Sequence, residues 1–194
     1  MQKIILASNS PRRKQILEQA GLKFSVDVSD FNEDILEFSN PHEMVERLSL
    51  EKAKIVAKRN PKALIIAADT TVFLNNEIIG KPKSKTDAFR ILKLLSGNKH
   101  QVITGFTIIE GKKIITKHVI SEVVFKNLSD EQINAYIATG EPMDKAGGYG
   151  IQDNAGVFVD RVIGDYNNIV GFPLVAILDV LKEFGIDTLK TYEK

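Results

Sequence analysis

Residues 62–82, KALIIAADTTVFLNNEIIGKP, limit the fold more than any other stretch of this chain. Ala63–Ala68 is a continuous apolar run, stopped on one side by Asn60-Pro61 and on the other by Asp69. Six residues are too few for a stable helix, and there is no polar alternation for a half-exposed strand. The run therefore predicts a central strand buried on both faces. Such a strand needs cover above and below, which points to an α/β protein. Thr71–Leu74 and Glu77–Ile79 follow, with Asn75-Asn76 between them, the composition of a tight hairpin turn.

The rest of the chain alternates strand and helix patterns in support of that class. Lys3–Ala7 predicts a short buried strand. Ser10 then offers an N-cap, Pro11 suits the first helical position and Gly21 a helix end, with Ile16, Leu17 and Ala20 as the apolar face. Phe24, Val26 and Val28 alternate as a strand, and SDFNEDILEFS predicts a loop. Asn40-Pro41 opens a long helix, with Met44, Val45, Leu48, Ile55 and Val56 as its stripe, ended by Asn60-Pro61. Ser84 with Asp87 predicts a capping box for a helix through Leu95. Strands are expected near Gln101–Glu110 and Lys113–Phe125 around Gly111. Ser129 with Gln132 opens a further capped helix that Gly140 and Pro142 end, and a last helix is expected over about Pro173–Phe184. The expectation is one domain over residues 1–194, with two lobes.

Composition removes several function classes. With 26 Lys+Arg against 25 Asp+Glu, the formal net charge is +1, so any anion recognition must be local and no stable nucleic-acid partner is expected. The absence of cysteine excludes disulfides, thiolate zinc sites and cysteine nucleophiles. His42, His100 and His118 lack metal-ligand spacing and read as structural or surface residues. No apolar run approaches the ~20 residues that span a bilayer. The expectation is a soluble, cytoplasmic protein.

SNSPRRK, residues 8–14, breaks a rule that the other helices keep. A helix N-terminus is already positive, so cations there cost about 0.3–1 kcal/mol each. Glu43 stands in the first turn of the second helix, and Asp130 and Glu131 in that of the fourth. The first helix instead carries Arg12, Arg13 and Lys14. An anionic ligand makes that placement favourable. Ser8 and Ser10 add hydroxyl donors, and guanidinium groups grip phosphate oxygens in pairs. The alternative is a capped surface helix with solvated arginines. Asp69, at the expected carboxyl end of a buried strand, can hold magnesium or position a water, or it can cap a turn. The acidic loop Asp30, Glu33, Asp34 can share a metal with Asp69 or be plain solvated charge. Lys52 and Lys81 are candidate phosphate charges, and lysines are also ordinary surface residues. KAGGYGIQ permits close backbone approach around Lys145, Tyr149 and Gln152, but it is neither a dinucleotide fingerprint nor a P-loop.

Taken in order along the chain, LASNSPRR, KAKIVA, AADTTV, IGKP, VITG, KAGGYGIQ and NNIVGFP resemble the Maf family of nucleotide pyrophosphatases, over nearly the whole length. The resemblance implies an α/β fold shared with inosine triphosphate pyrophosphatases: a mixed sheet, flanking helices, and two lobes around a central cleft for the nucleotide. It implies hydrolysis of a nucleoside triphosphate to monophosphate and pyrophosphate with a divalent metal, Mg2+ or Mn2+. Residue by residue, Asp69 matches the family's proton acceptor. Ser8, Arg12 and Arg13 match its phosphate-binding start, and Glu33, Lys52 and Lys81 match further charged positions. Arg12, Thr70 and Gln152 match the positions tied to base preference, and the three residue types are those of the dTTP/UTP branch. In the 7-methyl-GTP branch the first is typically aromatic. On this basis Asp69, Lys81 and Arg13 are the expected catalytic residues. Ser8, Arg12, Lys52, Thr70 and Gln152 are expected to bind substrate, and Glu33 and Asp69 to hold the metal. The chain departs from the family at Gly148, Gly150 and Asp153, where Ala, Ala and Gly are common, at Phe172 for a common Leu, and in the FNED loop. Two other readings stay open: a non-enzymatic, nucleotide- or nucleic-acid-binding regulator of cell division, and a hydrolase for non-standard purine nucleotides. A homodimer is also left open.

Overall fold

The computed structural model describes residues 2–31, 38 and 40–187. Its strands are β1 (Ile4–Leu6), β2 (Ser25–Val26), β3 (Leu64–Leu74), β4 (Glu77–Ile79), β5 (Lys99–Glu110), β6 (Lys113–Phe125) and β7 (Val159–Ile163). Its α-helices are α1 (Pro11–Gln19), α2 (Pro41–Arg59), α3 (Lys85–Leu95), α4 (Asp130–Ala138), α5 (Tyr166–Val170) and α6 (Leu174–Glu183). The strand order is β2-β1-β3-β5-β6-β7, with β4 paired to β3 off that path. β1 runs parallel to β2 and β3, whereas β3–β4 and β6–β7 are antiparallel, so the sheet is mixed.

The chain divides into two compact units. The first holds residues 1–69, 104–119 and 171–194, and the second holds 70–103 and 120–170. In the first unit, the β1–β3 register pairs Ile4 with Leu64, Ile5 with Ile65 and Leu6 with Ile66. One face of these strands buries Ile5, Ala7, Ile65 and Ala67 against Ala53 and Val56 of α2. The buried positions of α2 are 41, 45, 48, 49, 53 and 56, a helical stripe. Met44 and Ile55, expected in that stripe, lie at its margins and are half-buried. α2 also crosses β5 at Gly105. A Cβ there would stand 2.4 Å from the Val45 carbonyl and 2.7 Å from the Glu46 nitrogen, so only glycine lets the helix backbone come this close. Beside that crossing, His118 Nδ1 lies 2.7 Å from Glu46 Oε1, and the His118 ring packs on His42.

In the second unit, the Asn75-Asn76 turn has both residues in the left-handed region (φ 51° and 63°), as a two-residue hairpin requires. Its core gathers Val72, Ile79, Ile91, Leu92, Val123, Phe125, Ile133 and Tyr149. Asn168 is wholly buried in this unit and donates from its amide nitrogen to the Val102 carbonyl and to Ser121 Oγ, both at 3.0 Å.

Three expectations need correction. Asp69 does not end its strand: β3 continues to Leu74, because Thr70, Thr71, Val72 and Phe73 all favour extended backbone. The strand at residues 24–28 shrinks to Ser25–Val26, and Val26 and Val28 stay exposed, because β2 pairs only with β1 at the sheet edge. The Ser84–Asp87 box is only half formed. Ser84 Oγ accepts the Asp87 N–H at 3.1 Å, but the short Asp87 side chain takes the N–H of Lys83. GDYNNIVGFP, where no element is expected from the sequence, contains a short helix, α5. The Ser129–Gln132 box is complete.

Candidate active site

The first unit brings four of the expected residues together at the carboxyl end of β1. Strand alternation sets Asp69 on the same face as Ile65 and Ala67, toward α2. Helical spacing sets Lys52 in line with Ser49 and Val56, on the stripe of α2 that meets the sheet. The two periodicities meet in an ion pair: Lys52 Nζ donates to Asp69 Oδ1 at 2.5 Å, with side chains only 14% and 11% exposed. The last β1–β3 partners are Leu6 and Ile66, so Asp69 lies where β3 has run past the end of β1. The carboxyl end near Asp69 is therefore that of β1 instead of β3.

Ser8 follows β1 directly and is 8% exposed. Its Oγ accepts the Ser10 N–H at 3.2 Å and an Arg13 Nη1 N–H at 3.3 Å. Arg13 also donates through Nη1 to the Ala68 carbonyl at 2.6 Å and through Nε to the Gly171 carbonyl at 2.9 Å. Its guanidinium thus ties the start of α1 to β3 and to the residues that precede α6. Ser10 caps α1, but its Oγ lies 3.5 Å from the Arg13 nitrogen, the outer limit for such a bond. No acidic side chain stands in the first turn of α1, and Arg12 is half-buried there.

The second unit holds Thr70, Lys81 and Gln152. Thr70 is half-buried on β3, and Lys81 is exposed just beyond β4. KAGGYGIQ folds back on IGKP: Gly147 N–H donates to the Gly80 carbonyl at 3.0 Å, and Gly147 and Gly148 both have left-handed φ (70° and 67°). Tyr149 is fixed from below, its hydroxyl 2.7 Å from His100 Nε2. Burial pushes the His100 imidazole down to about 4, so it is neutral at pH 7, and burial raises the Tyr149 phenol. Lys145 is 9% exposed and donates to the Glu141 carbonyl (2.8 Å) and to Asp144 Oδ1 (2.7 Å). Gln152 is exposed, and its amide nitrogen donates to Asp153 Oδ2 at 2.6 Å.

Glu33, with Asp34, lies outside the described residues. Among the described residues no group of three or more His, Asp or Glu side chains is placed to hold a metal. Asp69 still suits a hard divalent cation. One of its oxygens is held by Lys52, the other has no hydrogen bond among the described residues, and Mg2+ commonly takes one or two carboxylates together with substrate phosphates and water. No helix among the described residues is long and apolar enough to cross a membrane.

Reading the residues for chemistry alone missed Lys145 and Asp153 as a pair, because their approach depends on the loop conformation. Lys52 carried a detectable signal, a cation spaced into an apolar helical stripe.

A mixed sheet with a short parallel β2-β1-β3 edge and helices packed on it defines a fold of the Ham1 kind. The Ham1 proteins of Coxiella burnetii (TM-score 0.51, 16% identity, covering 94% of this chain and 100% of theirs) and Staphylococcus aureus (0.50, 16%, 95% and 100%) have the same fold. Within it the chain belongs to the Maf-like protein family, whose sequence profile matches residues 3–184. Among its relatives, the dTTP/UTP pyrophosphatase of Alkaliphilus metalliredigens (strain QYMF) is 50% identical over 193 residues, which is 97% of this chain and 100% of the relative. That of Bacillus anthracis (strain CDC 684 / NRRL 3495) is 46% identical over 187 residues, 96% and 98%.

Proposed function

We propose that this chain is a nucleoside triphosphate diphosphatase that hydrolyses dTTP and UTP to the monophosphate and pyrophosphate. The observation that carries the proposal is the Lys52–Asp69 pair at the end of β1, set beside Ser8 and the cation-bearing start of α1. The names of two near-full-length relatives support the substrate, and they favour hydrolysis over the regulatory alternative.

In this mechanism Ser8, Arg12 and Arg13 bind phosphate oxygens, with Arg13 also bracing the site through Ala68 and Gly171. Lys52 fixes the rotamer of Asp69 through Oδ1. Asp69 Oδ2 orients a water toward the α-phosphorus and accepts its proton. Lys81 and Lys52 stabilise the charge that grows on the departing pyrophosphate. Thr70 and Gln152 meet the base. A divalent cation, Mg2+ or Mn2+, would be held by Asp69 with Glu33 as its second carboxylate, and it supplies Lewis-acid neutralisation of the phosphate charge. A cytoplasmic location is part of this reading, supported by the lack of cysteine.

The test is a panel of dTTP, UTP, CTP, GTP and 7-methyl-GTP with identification of the products. Pyrophosphate from dTTP and UTP is expected. Asp69→Asn should lose about 10²–10⁴-fold in turnover. Near-wild-type turnover in that variant, or a clear preference for a guanine nucleotide, sinks the assignment.

A further inference from the structure

Gln152 has a neighbour that decides which way its amide points. Asp153 Oδ2 accepts the Gln152 Nε2 N–H at 2.6 Å. A carboxylate only accepts hydrogen bonds, so the nitrogen must face it and the carbonyl Oε1 must point away. Asp153 is held in turn: its Oδ2 lies 3.6 Å from the Lys145 ammonium, whose side chain is 10% exposed, and its own N–H closes a turn onto the Gly150 carbonyl at 3.0 Å. Gly150 makes the arrangement possible. A Cβ there would come within 2.4 Å of Asp153 Oδ2, 2.8 Å of Gln152 Nε2 and 2.8 Å of Lys145 Cε.

We propose that Asp153, backed by Lys145 and admitted by Gly150, is a specificity-determining positioning residue that locks the Gln152 amide in the orientation complementary to uracil and thymine. This rests on the reading that Gln152 meets the base. One Gln152 N–H is committed to Asp153, which leaves Oε1 as an acceptor beside a second N–H donor. Uracil and thymine present the matching pair, an N3–H donor beside a carbonyl oxygen. Cytosine presents the reverse, an N3 acceptor beside an exocyclic amine. An unrestrained glutamine amide reads either edge by turning over, so residue type alone cannot separate the two bases. With Asp153 in place, turning over would set Oε1 against the Asp153 carboxylate. Cytosine is then left with two mismatched groups, and discrimination arises from those unpaired contacts.

The experiment compares kcat/KM for UTP and CTP in the full chain and in Asp153→Ala, Gly150→Ala and Gln152→Ala. CTP turnover that is too slow to follow is replaced by its inhibition constant against UTP. Asp153→Ala should lower the UTP:CTP ratio roughly tenfold, with CTP improving in absolute terms. A variant that merely loosens the fold would weaken both substrates alike. Gly150→Ala sets its Cβ against both Asp153 Oδ2 and Gln152 Nε2, which breaks the hydrogen bond between them, and should shift the ratio in the same direction. It is the second route if Asp153→Ala folds poorly. An unchanged ratio in the folded variants, while Gln152→Ala collapses it, overturns the role of Asp153 and leaves base reading by Gln152 standing. An unchanged ratio in Gln152→Ala overturns the base reading and this inference with it.

Discussion

The Lys52–Asp69 pair yields the most demanding prediction, because the same contact should govern both folding and chemistry. At 2.5 Å and an effective dielectric constant near 20, the direct attraction is about 7 kcal/mol. Most of that is offset by the cost of removing two ions from water, several kcal/mol each. What a single substitution exposes is the cost of stranding the other ion, about 3–5 kcal/mol for a buried pair. With 14% and 11% of the side chains still reaching solvent, about 3 kcal/mol is the better expectation. Lys52→Met leaves the Asp69 carboxylate with no hydrogen-bond donor among the described residues, and Asp69→Asn takes from the Lys52 ammonium its carboxylate partner at 2.5 Å. Either change should lower the thermal midpoint by roughly 6–12 °C for a chain of this size. The double variant strands no charge, so its loss should fall short of the summed single losses by about 2 kcal/mol. Urea unfolding of the four proteins, with m-values compared, measures that coupling. Losses that add to within about 0.5 kcal/mol would refute the reasoning, since the pair would then behave as a solvent-screened surface contact.

Two further outcomes follow from the same contacts. His100 titrates near 4 in the folded chain and near 6.5 unfolded, so below pH 6.5 the unfolded state takes a proton that the buried ring refuses. Its contribution is present in full above pH 6.5 and is lost as pH falls toward 4, by about 2 kcal/mol between pH 7 and pH 5, and His100→Gln should flatten that part of the stability profile. Arg13→Ala removes bonds to Ser8 Oγ and to the Ala68 and Gly171 carbonyls, so it should cost about 3 kcal/mol in unfolding free energy, whereas Arg12→Ala should act mainly on KM for the nucleotide; an unaltered midpoint in Arg13→Ala would exclude the bracing role.

What the sequence made legible follows from the range of each interaction. Ser129 with Gln132, Asn75-Asn76 and the apolar run Ala63–Ala68 act through neighbours within a few residues, and each appears where its local chemistry requires. The Ser84–Asp87 box went half wrong for an equally local reason, since an aspartate is one methylene too short to favour the Ser84 N–H over that of Lys83. The site divides the same way. That Lys52 and Asp69 both face the layer between α2 and the sheet was available from periods of 3.6 and 2. That they meet was not, because the register of α2 on β3 depends on contacts remote in sequence, among them the Gly105 crossing. The Gly150 and Asp153 departures from the family pattern looked unconnected as letters. Only the turn over residues 150–153 sets one against the other.

The cations at the start of α1 deserve a different account from the one their placement first suggests. Lys14 reaches Glu18 at 3.8 Å across the helix surface, with both side chains 55% exposed, and such a pair offsets little of the dipole cost. Arg13 gives three of its five N–H donors to two carbonyls and a serine. Carbonyl oxygens carry partial negative charge, so this guanidinium has a reason to be there before any ligand arrives. Part of the Arg13 charge is therefore accounted for without an anion, but the phosphate site at this helix start does not rest on that charge alone. It gains support of another kind. By accepting the Ser10 N–H and an Arg13 N–H, Ser8 Oγ uses its acceptor capacity on the protein, which leaves its O–H to act as a donor. A hydroxyl held as a donor at the start of a helix that has one long cap bond and no acidic side chain in its first turn suits a phosphate oxygen better than it suits any cation.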